Sequence, residues 1–192
     1  MADNDAFADR RRAAEEDYFR KRDRELITKM RQAASADQAR RDMIAKTGLT
    51  DPELLRELSD LGFTPDTVIL LPLVPIVQVA WAEGGITPAE RALIFEFARA
   101  RGIEAGSAAE GLLHDWLATQ PRPEVFSRAQ RLIRAMLESG GADGLTFSID
   151  DLIEQSEKIA AASGGVFGLR TISAEERRIL QQIGSNLKSR GT

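Results

Sequence analysis

The residues best suited to a specific chemical task are the aromatic and aliphatic side chains of the charged N-terminal segment. Tyr18, Phe19, Leu26, Ile27 and Met30 recur at steps of three, four and seven residues, which places them along a narrow apolar stripe of a helix. Most of the residues between them are charged. Because aromatic side chains and arginines carry much of the energy of protein interfaces, the segment predicts a helix that binds a groove on a partner.

The helix that positions these residues is predicted from what the segment lacks. From Met1 to Thr47 there is no glycine and no proline, so nothing in the sequence breaks a helix. Core burial needs a wider apolar stripe, and a self-pairing coiled coil needs apolar a and d positions over several heptads. Neither pattern is present. We therefore expect a polar, exposed helix that is only marginally stable without a partner.

The same segment resembles the inhibitory helix of the mitochondrial F1-ATPase inhibitor protein family. That family has an Ala-Phe pair followed by Arg, an acidic run, a Tyr-Phe pair and an Arg-Glu. The matching residues run without a gap across positions 6–31. They are Ala6, Phe7, Arg10, Ala13, Glu15, Glu16, Tyr18, Phe19, Arg20, Arg24 and Glu25.

The resemblance implies a binding mode on the F1 sector of ATP synthase. Glu15 would face an arginine of a β subunit at the catalytic α–β interface, and Tyr18 with Phe19 would fill the apolar part of that cleft. Ile27 and Met30 would add contacts. Phe7 would reach toward the γ subunit of the central stalk. The implied partner-binding set is Phe7, Arg10, Glu15, Glu16, Tyr18, Phe19, Arg20, Arg24, Ile27 and Met30.

Two departures from the family limit what carries over. Ala14 stands where the family usually has Glu, and residues 1–46 contain no histidine. The pH-controlled self-association of the family is therefore not implied for this chain. Inhibition itself needs no chemistry from the inhibitor, because a helix wedged in the cleft stops the rotation that ATP hydrolysis drives.

The remainder of the chain is predicted to be a second domain, 47–192, after a helix domain at 1–46. A Thr50 capping box begins a helix that runs to Gly62, and Thr64 begins an apolar central helix through Trp81 that Pro72 and Pro75 bend or restart. No segment alternates with period two for long enough to form a sheet, so the fold is predicted to be all-α. Further helices are predicted at 88–101, 107–118, 124–139, 149–163 and 174–188.

A weak internal repeat lies in this second domain. Residues 85–91, GITPAER, resemble residues 171–177, TISAEER, and each has a hydroxyl residue three positions before a Glu. The surrounding sequence, about 65–188, resembles the TerB-like domain family named for tellurite resistance, with Glu83 in place of the Asp of its turn. Such turns have been proposed to bind metal, which makes Glu83, Glu90, Asp143 and Asp150 candidate ligands. Capping explains Glu90 more simply, so we predict no metal and no cofactor.

Composition excludes several other classes of protein. There is no cysteine, one histidine (His114), and no phosphate-binding loop or nucleophile motif, so we do not expect an enzyme. Residues 68–82 are too short and too interrupted by proline to span a bilayer. The acidic start is not a targeting segment. We expect a cytoplasmic bacterial protein without direct membrane insertion, held at the inner membrane through ATP synthase.

The function predicted from these patterns is non-enzymatic inhibition of ATP hydrolysis by an F-type ATP synthase. The alternative is a TerB-like stress-response or scaffold module, in a metal-responsive form, whose N-terminal helix binds another protein. A third possibility is nucleic-acid binding through residues 10–12, Arg-Arg-Arg. The interleaved carboxylates of the segment argue against it, because phosphate backbones select a basic face.

Overall fold

The computed structural model describes residues 2–140, 147–162 and 172–188, with side chains in the first helix from Glu15 onward. Every regular element in these ranges is helical, which confirms the all-α prediction. The elements are α1 (Ala2–Thr47), α2 (Pro52–Asp60), a 3₁₀ helix (Val68–Leu73), α3 (Val74–Ala80), α4 (Pro88–Ala100), α5 (Ala108–Ala118), α6 (Pro123–Glu138), α7 (Ile149–Ala162) and α8 (Ala174–Lys188).

The chain divides into two compact units, residues 1–41 and 42–192. The first unit is a single helix, and each of its side chains from Glu15 to Arg41 is exposed. Helix α1 ends at Thr47 because Gly48 adopts a φ of 71°, and the Gly48 N–H donates to the Ile44 carbonyl at 2.8 Å. None of the helices in the described ranges is both long and apolar enough to cross a membrane.

The second unit is a helical bundle built around α3. Val74, Ile76, Val77 and Val79 are buried on all sides of this short helix. It packs against α6, α7 and α8, and its neighbours complete an aliphatic core. A helix that is apolar almost all round has almost no solvent face, which is why we predicted that it lies at the centre of the bundle.

Two predicted helix starts in this unit are wrong. Asp51, rather than Thr50, caps α2, since the Asp51 carboxylate accepts from the Glu53 N–H at 2.8 Å. Thr64 begins a turn rather than a helix, and its N–H donates to the Thr67 hydroxyl at 2.8 Å. The alternative prediction, that the true start of the helix lies near Pro72 and Pro75, is confirmed, since α3 begins at Val74. Pro72 offers no N–H and clashes with the preceding turn, so the chain forms a 3₁₀ helix before that start.

The other helices match their predicted bounds to within one residue, and the internal repeat forms two capping boxes of matching geometry. Thr87 N–H donates to the Glu90 carboxylate at 2.7 Å, and Ser173 N–H donates to the Glu176 carboxylate at 2.7 Å. In return the Thr87 and Ser173 hydroxyls each accept from the glutamate N–H at 3.2 Å. The boxes fix the starts of α4 and α8.

Candidate functional site

The most unusual feature of the first unit is a set of large apolar side chains that face solvent. The exposed fractions are 57% for Tyr18, 61% for Phe19, 56% for Leu26, 47% for Ile27 and 63% for Met30. Every other large apolar side chain that the structure describes, from Glu15 onward, is buried or partly buried. Exposed apolar side chains grouped on one polar helix are typical of a binding surface.

The geometry of the helix brings three of these side chains into line. Phe19, Leu26 and Met30 are separated by seven and four residues, so they share one face, and Ile27 lies at its margin. Tyr18 precedes Phe19 directly and therefore points about 100° away around the helix axis. The Tyr18 and Phe19 rings still touch edge to face, with centroids 5.8 Å apart. We call the row Phe19, Leu26 and Met30 the apolar row.

Leu26 is the residue of this surface that the implied binding set omits. Its exposed fraction, 56%, is close to those of Phe19 and Met30. The sequence itself indicates that Leu26 shares a helix face with Phe19 and Met30, since Leu26 lies seven residues after Phe19 and four before Met30. The resemblance assigns contacts to Ile27 and Met30 but none to Leu26.

Three arginines around the apolar row have partners on the same helix. Arg20 forms an ion pair with Glu16 at 3.0 Å, and Arg22 donates to the Tyr18 hydroxyl at 3.0 Å. The Arg24 guanidinium donates to the Arg20 carbonyl at 3.2 Å. Exposed contacts of this kind contribute at most about 1 kcal/mol, so a partner can replace them at little cost.

The structure locates the rest of the implied binding set on the same helix. Glu15, Glu16, Arg20 and Arg24 are exposed. Phe7 and Arg10 belong to α1, but their side chains lie outside the described residues. The described members of the set are therefore all accessible to a partner.

The candidate metal ligands are engaged in other contacts. The Glu90 carboxylate accepts from both the N–H and the hydroxyl of Thr87, each at 2.7 Å, and Asp150 lies 3.3 Å from the Lys188 ammonium. Asp143 lies outside the described residues. No three His, Asp or Glu side chains of the described chain, Glu83 included, are arranged to hold a metal ion.

The Glu90 carboxyl has an altered acidity. Burial raises its pKa above the ordinary value of 4.5, and the negative charges of Glu176 and Glu83 raise it further. The hydrogen bonds from Thr87 lower the pKa but do not outweigh these effects. A carboxyl whose pKa is higher in the folded state stabilises the fold most when it is protonated. Its contribution is therefore lost as the pH rises from about 4.5 through the folded-state pKa.

Glu90→Gln is expected to remove this pH dependence. The amide oxygen can still accept from Thr87, whereas the charge that burial disfavours is gone. Urea denaturation of both proteins should show the variant gaining stability relative to wild type as the pH is raised from below 4.5 to neutral. If the free energies of unfolding of Glu90→Gln and wild type differed by the same amount at acid and neutral pH, the raised pKa of Glu90 would be contradicted.

The second unit also contains a cavity of about 400 Å³ between the 3₁₀ helix and the start of α5. Val68, Ile69 and Ile103 form its apolar wall. Lys46 at the rim already donates to the Pro65 carbonyl at 2.6 Å. The lining contains no histidine and no nucleophile activated by a base, so the cavity does not resemble a catalytic site. His114 lies elsewhere on α5, exposed and with its ring 4.5 Å from that of Phe95.

Comparison with known proteins gives no match: no family model, no curated protein and no solved structure corresponds to this chain. The functional argument therefore depends on the residues of α1.

Proposed function

We propose that this protein is a non-enzymatic inhibitor of ATP hydrolysis by an F-type ATP synthase, acting through α1 at the catalytic α–β interface of F1. The observation that supports the proposal is the exposed apolar row, in the register that resembles the F1-ATPase inhibitor helix. Helix α1 already has the conformation that a cleft would bind. A preformed helix loses less conformational entropy on binding than a disordered segment.

The apolar row would supply most of the binding energy. Phe19, Leu26 and Met30 are each more than half exposed, so a cleft that covers them removes apolar surface from water. Full burial of such side chains is worth about 1.5–3 kcal/mol each. Glu15 would add specificity by pairing with an arginine of the β subunit, because charge complementarity fixes the register of an interface.

The inhibition is mechanical. A rigid helix in the catalytic cleft blocks the opening and closing that each ATP turnover requires, and hydrolysis stops without a reaction on the inhibitor. Residues 42–192 would tether or control the helix.

The decisive experiment measures ATP hydrolysis by isolated, lipid-free bacterial F1. F1 is titrated with the full chain and with a chain of residues 42–192, which keeps Met43, a residue of the bundle core. Inhibition by the full chain alone supports the proposal. Absence of inhibition by either chain refutes it and favours the TerB-like scaffold alternative.

Two single substitutions test the binding mode. Tyr18→Ala and Glu15→Ala should each weaken inhibition by about 1–2 kcal/mol, a rise of roughly 5- to 30-fold in the concentration for half inhibition. Asp37→Ala is the control, since Asp37 is equally exposed on α1 but lies beyond the matching residues. If both test variants inhibit like the control, the binding mode implied by the resemblance to the F1-ATPase inhibitor helix is wrong.

A further inference from the structure

Leu26 and Met30 of the apolar row lie inside a strongly basic stretch of the long helix, and Phe19 directly precedes it. Residues 20–31 contain six Lys or Arg and two carboxylates, a net charge of +4 in a chain whose net charge is −4. The three residues Glu15, Glu16 and Asp17 precede this stretch and carry the opposite sign. Positive charge is therefore concentrated around Leu26, Ile27 and Met30.

Several of these cations are available to a ligand. Among the described residues, no ion pair joins Lys21, Lys29 or Arg31 to a carboxylate. All three side chains are exposed. Arg22 and Lys29 lie seven residues apart on the helix, beside the apolar row, where long side chains can extend past a buried face toward phosphate groups.

The apolar row shares its face with one carboxylate, that of Asp23, and has Arg22 and Lys29 beside it. This combination matches one chemical surface particularly well. An anionic bilayer offers phosphate groups at the level of the cations and acyl chains below them, where aliphatic side chains are buried. Nucleic acid offers the phosphates but leaves Leu26, Ile27 and Met30 exposed to water. The combination of both features favours lipid over nucleic acid.

We propose that residues 18–31 bind the surface of an anionic bilayer, with the helix lying in the plane of the headgroups. Phe19, Leu26 and Met30 contact the acyl boundary, and the surrounding Lys and Arg side chains contact headgroup phosphates. The helix lies on the bilayer and does not cross it. This binding requires no F1, so it goes beyond the proposed function. A chain bound to lipid in this way has its apolar row covered and withheld from protein partners.

The test is co-sedimentation of the full chain with lipid vesicles at increasing salt. Vesicles of phosphatidylcholine with phosphatidylglycerol should bind the chain, vesicles of phosphatidylcholine alone should not, and binding should fall as salt rises. Each Lys or Arg near such a surface contributes about fivefold to affinity. The double substitution Arg22→Glu with Lys29→Glu, at the two cations beside the apolar row, should therefore weaken binding at least about 25-fold.

A matched control separates local charge from total charge. Arg40→Glu with Arg41→Glu changes the net charge of the chain equally but lies outside residues 18–31, so its binding should fall much less. Leu26→Ala should weaken binding about tenfold without changing any charge.

Three results would overturn the proposal. They are equal binding to both kinds of vesicle, equal loss of binding in the two double variants, and binding to nucleic acid with none to vesicles. Inhibition of lipid-free F1 is measured separately, so its failure would leave vesicle binding intact and can be told apart from it.

Discussion

Leu26→Asp is expected to weaken inhibition of F1 at least about 30-fold. Leu26 lies between Phe19 and Met30 in the apolar row and is 56% exposed, so a cleft that takes up the row must enclose it. Loss of a central anchor costs about 2 kcal/mol or more at a protein interface. An aspartate in its place adds the penalty of an unpaired charge in an apolar environment. The measurement is the half-inhibitory concentration in the lipid-free F1 hydrolysis assay.

Thr28→Asp is the matched control for this substitution. Thr28 is exposed, lies two residues away and faces the opposite side of α1, since two residues turn the helix by about 200°. The two variants introduce the same charge into the same stretch of helix, and Leu, Thr and Asp all form helices within a range of about 0.7 kcal/mol. Circular dichroism should show similar helix content in both.

The comparison distinguishes a binding face from a general charge effect. If Leu26→Asp and Thr28→Asp lose inhibition equally, total charge rather than the apolar row governs the interaction with F1. If neither loses inhibition, the apolar row does not enter the cleft. Only selective loss in Leu26→Asp agrees with the proposed binding mode.

Local signals in the sequence predict much of the second unit. The helices α4 to α8 have capping residues or an apolar stripe on one face. Each of these signals depends only on residues that lie close together in the sequence. Thr87 with Glu90, and Ser173 with Glu176, form the predicted boxes. The 3₁₀ helix was missed because Val68 to Ala80 is apolar at every position except Gln78, and such a run gives no periodicity that distinguishes one kind of helix from another. Only the two prolines marked where α3 begins.

Contacts between distant residues could not be predicted in this way. The Glu57 carboxylate accepts from Arg128 at 2.8 Å and also from Arg131, joining α2 to α6 across more than seventy positions. Burial of Glu57 raises its pKa, but the two arginines outweigh that effect and hold it below 4.5. Nothing local to Glu57 indicates either partner.

The candidate site on α1 could also be predicted from the sequence only in part. Exposure of α1 follows from its polar composition, and the apolar row follows from the spacing of Phe19, Leu26 and Met30. The identity of the partner does not follow from either, since a helical face specifies the shape and polarity of a groove but not the protein that carries it. The F1 proposal therefore depends on the register of the resemblance, and the inhibition assay is its test.

Ile76→Ala is expected to lower the free energy of unfolding of the second unit by about 2–5 kcal/mol. Ile76 is fully buried on α3, which packs against α6, α7 and α8. The substitution removes apolar contacts and leaves a void that close-packed neighbours fill only in part. For a unit of this size the midpoint of thermal unfolding should fall by roughly 4–20 °C.

Tryptophan fluorescence measures this effect selectively. The chain has two tryptophans, and both lie in the second unit, where the Trp81 indole N–H donates to the Trp116 carbonyl at 2.9 Å. Urea denaturation followed by their emission therefore reports on residues 42–192 rather than on the long helix. A shift below about 0.5 kcal/mol in the Ile76→Ala variant would contradict the central position of α3.

Ile27→Ala removes the same atoms from a different environment, and the pair of variants separates folding from binding. Ile27 is 47% exposed on α1, so its loss should leave the tryptophan-monitored transition unchanged within about 0.5 kcal/mol while weakening inhibition of F1. Ile76→Ala should show the reverse at temperatures where its bundle remains folded, because the proposed inhibitory contacts all lie in residues 1–41. If Ile76→Ala weakened inhibition as strongly as Ile27→Ala under those conditions, the bundle itself would contribute to the F1 contact.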